Sequence, residues 1–434
     1  MAKRLVMIGN GMAGMRTIDE LLTIAPGEFE ITVFGREPYG NYNRIMLSPV
    51  LAEEATFDSI MIHTPEWYAE HEVTLFSGDP IVSIDRDQKQ VVSQQGRRVD
   101  YDVLLLATGS NPFIIPVPGH DLDGVIAYRD IHDVQAMQAA ARQYQHAVVI
   151  GGGLLGLEAA YGLHKQGMHV TVVHLLDSLM ERQLDKTAAT LLQQTLEAQG
   201  IHFAMEHATK ALHANDQGRV HRIEFADGKI LDADLVVMAV GIKPNIDLAQ
   251  HCALACERGV MVDDHLRTQD PHIFAVGECA QHRGVAYGLV APLYDQAKIC
   301  AEHIAQTGQT CYEGTVLSTK LKVTGIDLFS AGDFTGQESS ELIVYEDLPK
   351  GVYKKLVIED NVLIGCVLYG DVADGNLYFT LIDRQACIAD IRHDLIFGEA
   401  YIDPKLIQQL IMVNPIHADV KPEPVYAQPK VAVG

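Results

Sequence analysis

The chain has 434 residues, more than one ordinary hydrophobic core serves, and the length predicts roughly two to four domains. Hydrophobic residues make up 48% and charged residues 21%, with no apolar run long enough to span a bilayer and no charged-then-apolar leader, so a cytoplasmic globular protein without a membrane association is expected. Thirty-three Lys and Arg stand against 57 Asp and Glu. The net charge of −24 excludes nucleic acid as the expected partner, because phosphate binding needs a positive field. Seven cysteines (Cys252, Cys256, Cys279, Cys300, Cys311, Cys366 and Cys387) are scattered through the chain, as reduced thiols are, and no disulfide framework is expected.

The first predicted strand is RLVMI, Arg4 to Ile8, followed by GNGMAG, Gly9 to Gly14, and a helical stretch through Leu22. In such a strand-turn-helix unit, glycines let the backbone approach a pyrophosphate while the helix N-terminus, here Met12 and Ala13, presents amides and a positive dipole end. The next strand, ITVF from Ile31 to Phe34, is followed by Gly35 where a ribose-binding acid is customary, so Glu37 is the nearest candidate. Arg44, in NYNRIMLS from Asn41 to Ser48, offers a guanidinium to a pyrophosphate.

A second copy follows. AVVI from Ala147 leads into GGGLLG, Gly151 to Gly156, with Gly151, Gly153, Leu154, Leu155 and Gly156 as the nucleotide turn and helical sequence on to Gln166. The repeat extends further, since LLL from Leu104 ends in ATGSNP, Ala107 to Pro112, and VVM from Val236 ends in AVGIKP, Ala239 to Pro244. Each unit is expected to be a doubly wound dinucleotide-binding domain. At the end of the second strand of the second unit stands His174, in VVHLLD, where an acid would select the unphosphorylated ribose and an arginine the 2′-phosphate. A neutral imidazole accepts a ribose hydroxyl and an imidazolium attracts phosphate. Asp177 and Glu181 precede the first cation, Arg182, so NADH is expected over NADPH with modest discrimination.

TQDPHIFAVGECA, Thr268 to Ala280, reads as a short strand ending in an acid, with helical sequence from about Pro292 to Gln306. From Lys320 to Thr380 short β-branched runs such as LIVY (Leu342 to Tyr345) and YKKLVI (Tyr353 to Ile358) predict a small α+β domain. Its lysines, Lys320 with Lys322 and Lys350 with Lys354 and Lys355, are the densest basic groups there and are expected to steer an acidic protein partner. The last residues carry Pro415, Pro422, Pro424 and Pro429 and read as a flexible tail.

GNGMAG, YNRIMLS, ATGSNP, GGGLLGLEAA, MERQLD (Met180 to Asp185), AVGIKPN, FAVGECA and STKLKVTGID (Ser318 to Asp327) occur in this order. Over about the first 400 residues the chain resembles the flavin-containing N-terminal part of the large subunit of assimilatory NAD(P)H nitrite reductases, and the free-standing electron-transfer subunit of assimilatory nitrate reductase. The resemblance implies an α/β fold: two Rossmann-like dinucleotide-binding domains in a glutathione-reductase-like arrangement plus the small C-terminal α+β domain. It implies FAD binding by 1–112 with 245–312, NAD(P)H binding by 113–244, a third domain at 313–412 and a tail at 413–434. FAD is then expected at Gly9, Gly11, Met12, Ala13, Gly14, Glu37, Arg44, Ser48, Thr108, Gly109, Glu278 (toward the ribitol) and Pro292, and the nicotinamide nucleotide at Gly151, Gly153, Leu154, Leu155, Gly156, Glu158 (near the nicotinamide), His174 and Gly241.

Hydride passes between the cofactors, so no protein acid or base and no metal is expected. The implied function is electron transfer from NADH through FAD to a protein acceptor, a nitrate or nitrite reductase catalytic subunit or an iron-sulfur carrier. The alternatives are a rubredoxin or ferredoxin reductase and a flavin-based redox sensor. No cysteine precedes Cys252, which argues against disulfide or peroxide reduction in the first domain. No C-x-x-C pair exists, so iron-sulfur ligation and completed nitrite reduction are not expected of this polypeptide.

Overall fold

A computed structural model describes residues 2–412, and the tail predicted at 413–434 lies outside them. The described residues form two compact units, one built from 2–180, Leu192–Leu317 and Lys322–Thr324, the other from Glu181–Leu191, Ser318–Leu321 and the residues from Gly325 onward.

The first unit contains two parallel five-stranded sheets, as the two glycine turns predict. In one, the strand Lys3–Ile8 is central between Phe29–Phe34 and Val103–Leu106, with Thr74–Phe76 and Ile273–Ala275 at the edges. In the other, His146–Ile150 is central between His169–Val173 and Leu235–Met238, with His202–Ala204 and Val125–Ala127 at the edges. The central strands are continuous apolar runs because both faces are covered. Leu5 and Met7 pack on the side of the helix Met12–Ile24, while Val6 and Ile8 join a second cluster on the opposite face.

The repeat runs deeper than the motifs. Each sheet carries a three-stranded antiparallel meander before a later sheet strand, Ile81–Asp85, Gln90–Ser93 and Arg98–Asp100 in the first case and Thr209–Ala214, Val220–Phe225 and Ile230–Asp232 in the second. The segments after the two late strands, Ser110–Pro112 and Ile242–Pro244, pair antiparallel with one another, which sets ATGSNP beside AVGIKP.

The second unit is an antiparallel five-stranded sheet, ordered Ser318–Lys320, Leu328–Gly332, Val362–Tyr369, Val352–Glu359, Glu341–Asp347, with the helix Gly375–Asp383 against it. Here the expected steering lysines are corrected. Lys354 and Lys355 are only 4% and 9% exposed. Lys354 Nζ pairs with Asp371 at 2.7 Å and Asp374 at 3.3 Å, and Lys355 Nζ with Asp185 at 3.4 Å. A buried ammonium is tolerated only when paired, so these two charges are spent inside the unit and offer no field to a partner. Lys350 is exposed but pairs with Asp347.

Candidate functional site

The two glycine turns are built alike. Gly9 has φ +109°, and a Cβ there would meet the carbonyl oxygen of Ala107 at 2.1 Å; Gly151 has φ +122°, and its Cβ would meet that of Ala239 at 2.3 Å. Each first glycine is therefore required twice, by its left-handed backbone and by the late strand it crosses. Gly14 and Gly156 lie where helix meets strand, with a Cβ 2.7 Å from Met7 Sδ or 2.0 Å from the Gly151 oxygen. The middle glycines differ. A Cβ on Gly11 or Gly153 would meet nothing within 4 Å, and each residue is the N-cap of the helix that follows, Met12–Ile24 or Leu154–Lys165. An open concavity at a helix N-terminus, rimmed by amides and lacking side chains, fits a pyrophosphate. Met12, Ala13, Leu154 and Leu155 form the first turns of these helices.

Thr108, Gly109 and Glu278 come together beyond the first turn. Thr108 Oγ1 donates to the Asn245 carbonyl at 2.7 Å, and a Cβ on Gly109 would lie 3.7 Å from Glu278 Oε2. Glu278 accepts a bond from Ser110 Oγ at 2.9 Å and pairs with Arg129, both side chains being largely buried. Pro292 occupies the first turn of the helix Val290–Ala305, and one turn on, Gln296 Oε1 accepts the Gly277 N–H at 2.9 Å, tying that helix start to the segment that carries Glu278. Gly241, φ +115°, has open space at its Cβ position.

Glu37 and Arg44, expected to serve ribose and pyrophosphate separately, pair with one another. Glu37 also accepts the Tyr42 hydroxyl at 2.7 Å, and Arg44 donates to the Arg129 carbonyl at 3.2 Å. Ser48 and Glu158, assigned to different cofactors, are also joined. Gly162 sits so close to Leu51 that a Cβ would lie 2.6 Å from Leu51 Cγ, so the short helix Leu47–Leu51 lies tight against Leu154–Lys165. Ser48 Oγ then donates to Glu158 Oε2 at 2.5 Å and meets the Tyr128 hydroxyl at 2.9 Å, while the Lys322 N–H donates to Glu158 Oε1 at 2.9 Å. Burial pushes the Glu158 carboxyl up, with these hydrogen bonds opposing.

His174 is buried beneath the second turn. Its Nδ1 accepts the Gly152 N–H at 3.1 Å, and a Cβ on Gly152 would strike the imidazole at 2.8 Å. Accepting that bond makes Nδ1 the lone-pair nitrogen of the ring and leaves Nε2 to carry an N–H. The neighbours Leu175 and Leu176 are exposed and carry no charge.

Asp130, His132 and Asp133 are the one group among the described residues whose ligand atoms cluster at metal-binding spacing. Asp130 and Asp133, however, form the capping box of the helix Ile131–Ala141 and accept its backbone N–H groups. Sequence reasoning missed Arg129, Tyr128 and Gln296. Arg129 lies 149 positions from Glu278, and no local spacing signals such a pair.

The pyridine nucleotide-disulphide oxidoreductase family model matches residues 3–297. The chain belongs to that family. A rubredoxin NAD+ reductase C-terminal domain model matches residues 318–386, which cover much of the antiparallel unit. FAD and NAD(P)H are the cofactors of this family and its flavoprotein reductase neighbours. The chain is 50% identical over 388 residues to a nitrite reductase [NAD(P)H] of Bacillus subtilis (strain 168), covering 89% of this chain and 48% of that one. It is 45% identical over 397 residues to the assimilatory nitrate reductase electron transfer subunit of the same organism, covering 92% and 51%. The chain thus spans about half the length of these curated relatives. Among solved structures, a covalent putidaredoxin reductase–putidaredoxin complex superposes with TM-score 0.84 at 25% identity, covering 94% of this chain and 99% of that one.

Proposed function

We propose that the chain is an NAD(P)H:acceptor oxidoreductase that passes electrons from NADH through FAD to a protein redox partner in assimilatory nitrate or nitrite reduction. The observation that carries this reading is the duplicated turn, with open backbone at Gly11 and again at Gly153, in a chain whose curated relatives include nitrite and nitrate reductase components at 45–50% identity. In this reading 1–112 and 245–312 hold FAD, 113–244 hold the nicotinamide nucleotide, and 313–412 form a third domain. FAD, when bound, accepts a hydride and releases electrons singly. Gly9, Gly11, Met12, Ala13 and Gly14 receive the pyrophosphate, Arg44 neutralises it while keeping Glu37 oriented, and Thr108, Gly109, Glu278 and Pro292 line the flavin side. On the other side Gly151, Gly153, Leu154, Leu155, Gly156 and Gly241 receive the nucleotide, and Glu158, braced by Ser48, stands by the nicotinamide. No helix among the described residues is long and apolar enough to cross a membrane, and we place the protein in the cytoplasm.

A rubredoxin or ferredoxin reductase is the second reading, favoured by the C-terminal domain match. Steady-state NADH oxidation with a purified nitrate or nitrite reductase catalytic subunit, a rubredoxin and a small dye as acceptors separates the two. Turnover with the catalytic subunit supports the first reading; turnover with rubredoxin and dye but none with the catalytic subunit overturns it.

Nucleotide choice gives a further prediction. With Nδ1 engaged by Gly152, the two positions that follow His174, Leu175 and Leu176, offer no cation to a 2′-phosphate. The expected preference for NADH is roughly tenfold in kcat/KM, about the worth of one charge-assisted hydrogen bond. His174→Arg should move the ratio toward NADPH. Stronger use of NADPH by the unmodified protein at neutral and alkaline pH alike would contradict the assignment.

A further inference from the structure

His63 is buried, and both of its ring nitrogens face oxygen atoms: Nε2 lies 2.9 Å from Asp19 Oδ1 and Nδ1 lies 3.1 Å from Asn41 Oδ1. The Asn41 amide is oriented by its other end, since Nδ2 donates to the Asn10 carbonyl at 3.1 Å, which leaves Oδ1 toward the imidazole. A neutral imidazole has one N–H. Beside an amide oxygen and a carboxylate it would leave one contact as oxygen against lone pair. Both contacts are satisfied only if the Asp19–His63 pair holds one more proton, as an imidazolium beside a carboxylate or as a protonated carboxyl beside a neutral ring.

This proton is wired to the first glycine turn. Asn10 lies between Gly9 and Gly11, and its carbonyl is the group that Asn41 holds. Its side chain is held as well, by the Tyr68 hydroxyl donating to Oδ1 at 2.8 Å and by its own Nδ2 donating to the Tyr39 carbonyl at 3.3 Å. The Asn41 N–H donates in turn to the Tyr68 oxygen at 3.2 Å, and the Ile62 and His63 N–H groups donate to the Asn41 carbonyl. Gly40 permits this approach, because a Cβ there would lie 2.6 Å from the His63 carbonyl oxygen. Across a trans peptide the C=O and the next N–H point opposite ways, and no cis peptide is present among the described residues. Anchoring the Asn10 carbonyl on one side therefore aims the Gly11 N–H to the other, into the open concavity at the helix start.

We propose that His63, with Asp19, is a proton-dependent positioning residue for the FAD pyrophosphate, holding the Asn10–Gly11 peptide in its binding orientation through Asn41. The inference rests on the reading that FAD occupies the first turn. With the extra proton bound, the chain Asp19–His63–Asn41–Asn10 is complete; as pH rises and the proton leaves, one link becomes repulsive, the peptide loosens and FAD is held less tightly. The groups facing His63 are Asp19 from the helix Met12–Ile24, whose Arg16 and Glu20 pair with one another, Asn41 from the preceding loop, and Trp67 and Tyr68 from the helix Pro65–Glu70, whose Glu66 and Glu70 are exposed.

The protein carries its own reporter. Trp67 is the only tryptophan, and its ring lies edge-on to His63 at 4.1 Å and stacks on His71 at 4.3 Å. A protonated imidazole in contact quenches indole emission. In flavin-free full-length protein carrying His71→Gln, which removes the quenching by His71 itself, emission should rise with pH in one step that the double variant His63→Gln with His71→Gln lacks. The FAD dissociation constant of the wild type should rise roughly tenfold across the same step, the worth of one lost hydrogen bond to a charged group. In His63→Gln it should be weakened and flat with pH, and in Asp19→Asn, a change at the helix surface, the step should move to lower pH. Circular dichroism of each variant separates loss of fold from loss of positioning. A wild-type FAD affinity that stays flat across the Trp67 step, or no step assignable to His63, overturns the inference while leaving the flavoprotein reading intact. A wild type that binds FAD at no pH overturns that reading, and the inference with it.

Discussion

Gly11→Val is expected to leave a folded protein that holds little or no FAD. Unlike Gly9 and Gly14, Gly11 meets no neighbouring atom at its Cβ position, and its backbone, φ −90° and ψ 179°, is one that valine adopts without strain. The branched side chain therefore costs the protein alone little and fills the concavity at the helix N-terminus instead. Displacing a pyrophosphate from backbone amides should cost at least the roughly 1–3 kcal/mol of an overpacked contact, tenfold to more than a hundredfold in FAD affinity. Gly9→Val is the informative contrast, since its Cβ would enter the Ala107 carbonyl and the expected loss is of fold as well as flavin. Thermal unfolding and flavin content measured together on both variants check the pair. Normal flavin content in folded Gly11→Val would remove the first turn from the FAD site.

The second large effect is expected at Lys354. Its ammonium is buried against Asp371 and Asp374, so Lys354→Ala leaves Asp374, with a side chain 14% exposed, deprived of its cation. Breaking such a pair by removing one partner costs on the order of 3 kcal/mol, and the unit should unfold at clearly lower denaturant concentration. Lys320→Ala, at an exposed lysine 5.7 Å from the Phe329 ring, should lie within about 0.5 kcal/mol of wild type. Denaturant titration distinguishes the two. An unchanged midpoint for Lys354→Ala, with a salt-dependent loss of rate toward a protein acceptor, would restore the steering role.

That contrast shows what sequence pattern carries and what it omits. The strand-turn-helix units are legible because their glycines answer local demands, a positive φ at Gly9 and Gly151 and close approach at Gly14 and Gly156, which one stretch of chain states in full. Duplication makes the signal specific: Ala107 and Ala239 close the two turns in the same way. The adjacent lysines at 354 and 355 read as solvated because a strand sends successive side chains to opposite faces, and only the fold supplies an acid on each face, Asp374 for one and Asp185 for the other. The pairing of Glu37 with Arg44 was hidden for a simpler reason. Each residue type suits a ligand by itself, and a separation of seven positions in non-helical chain carries no spacing that signals a pair. Glu278 and Glu158 were identifiable from the resemblance, but their companions Arg129, Ser48 and Tyr128 are brought in by chain crossings with no sequence spacing to announce them. The antiparallel meanders are built from strands of three to six residues, in which period-two alternation is a weaker signal than the glycine turns.

The central claim, two dinucleotide cradles that pass electrons from one nucleotide to the other, is tested most directly by the absorption spectrum of FAD-reconstituted protein titrated anaerobically with NADH. The account predicts bound-flavin bands that bleach with about one NADH per flavin, since a hydride carries both electrons. Reconstituted protein without flavin bands, or flavin bands that neither NADH nor NADPH bleaches, would contradict it.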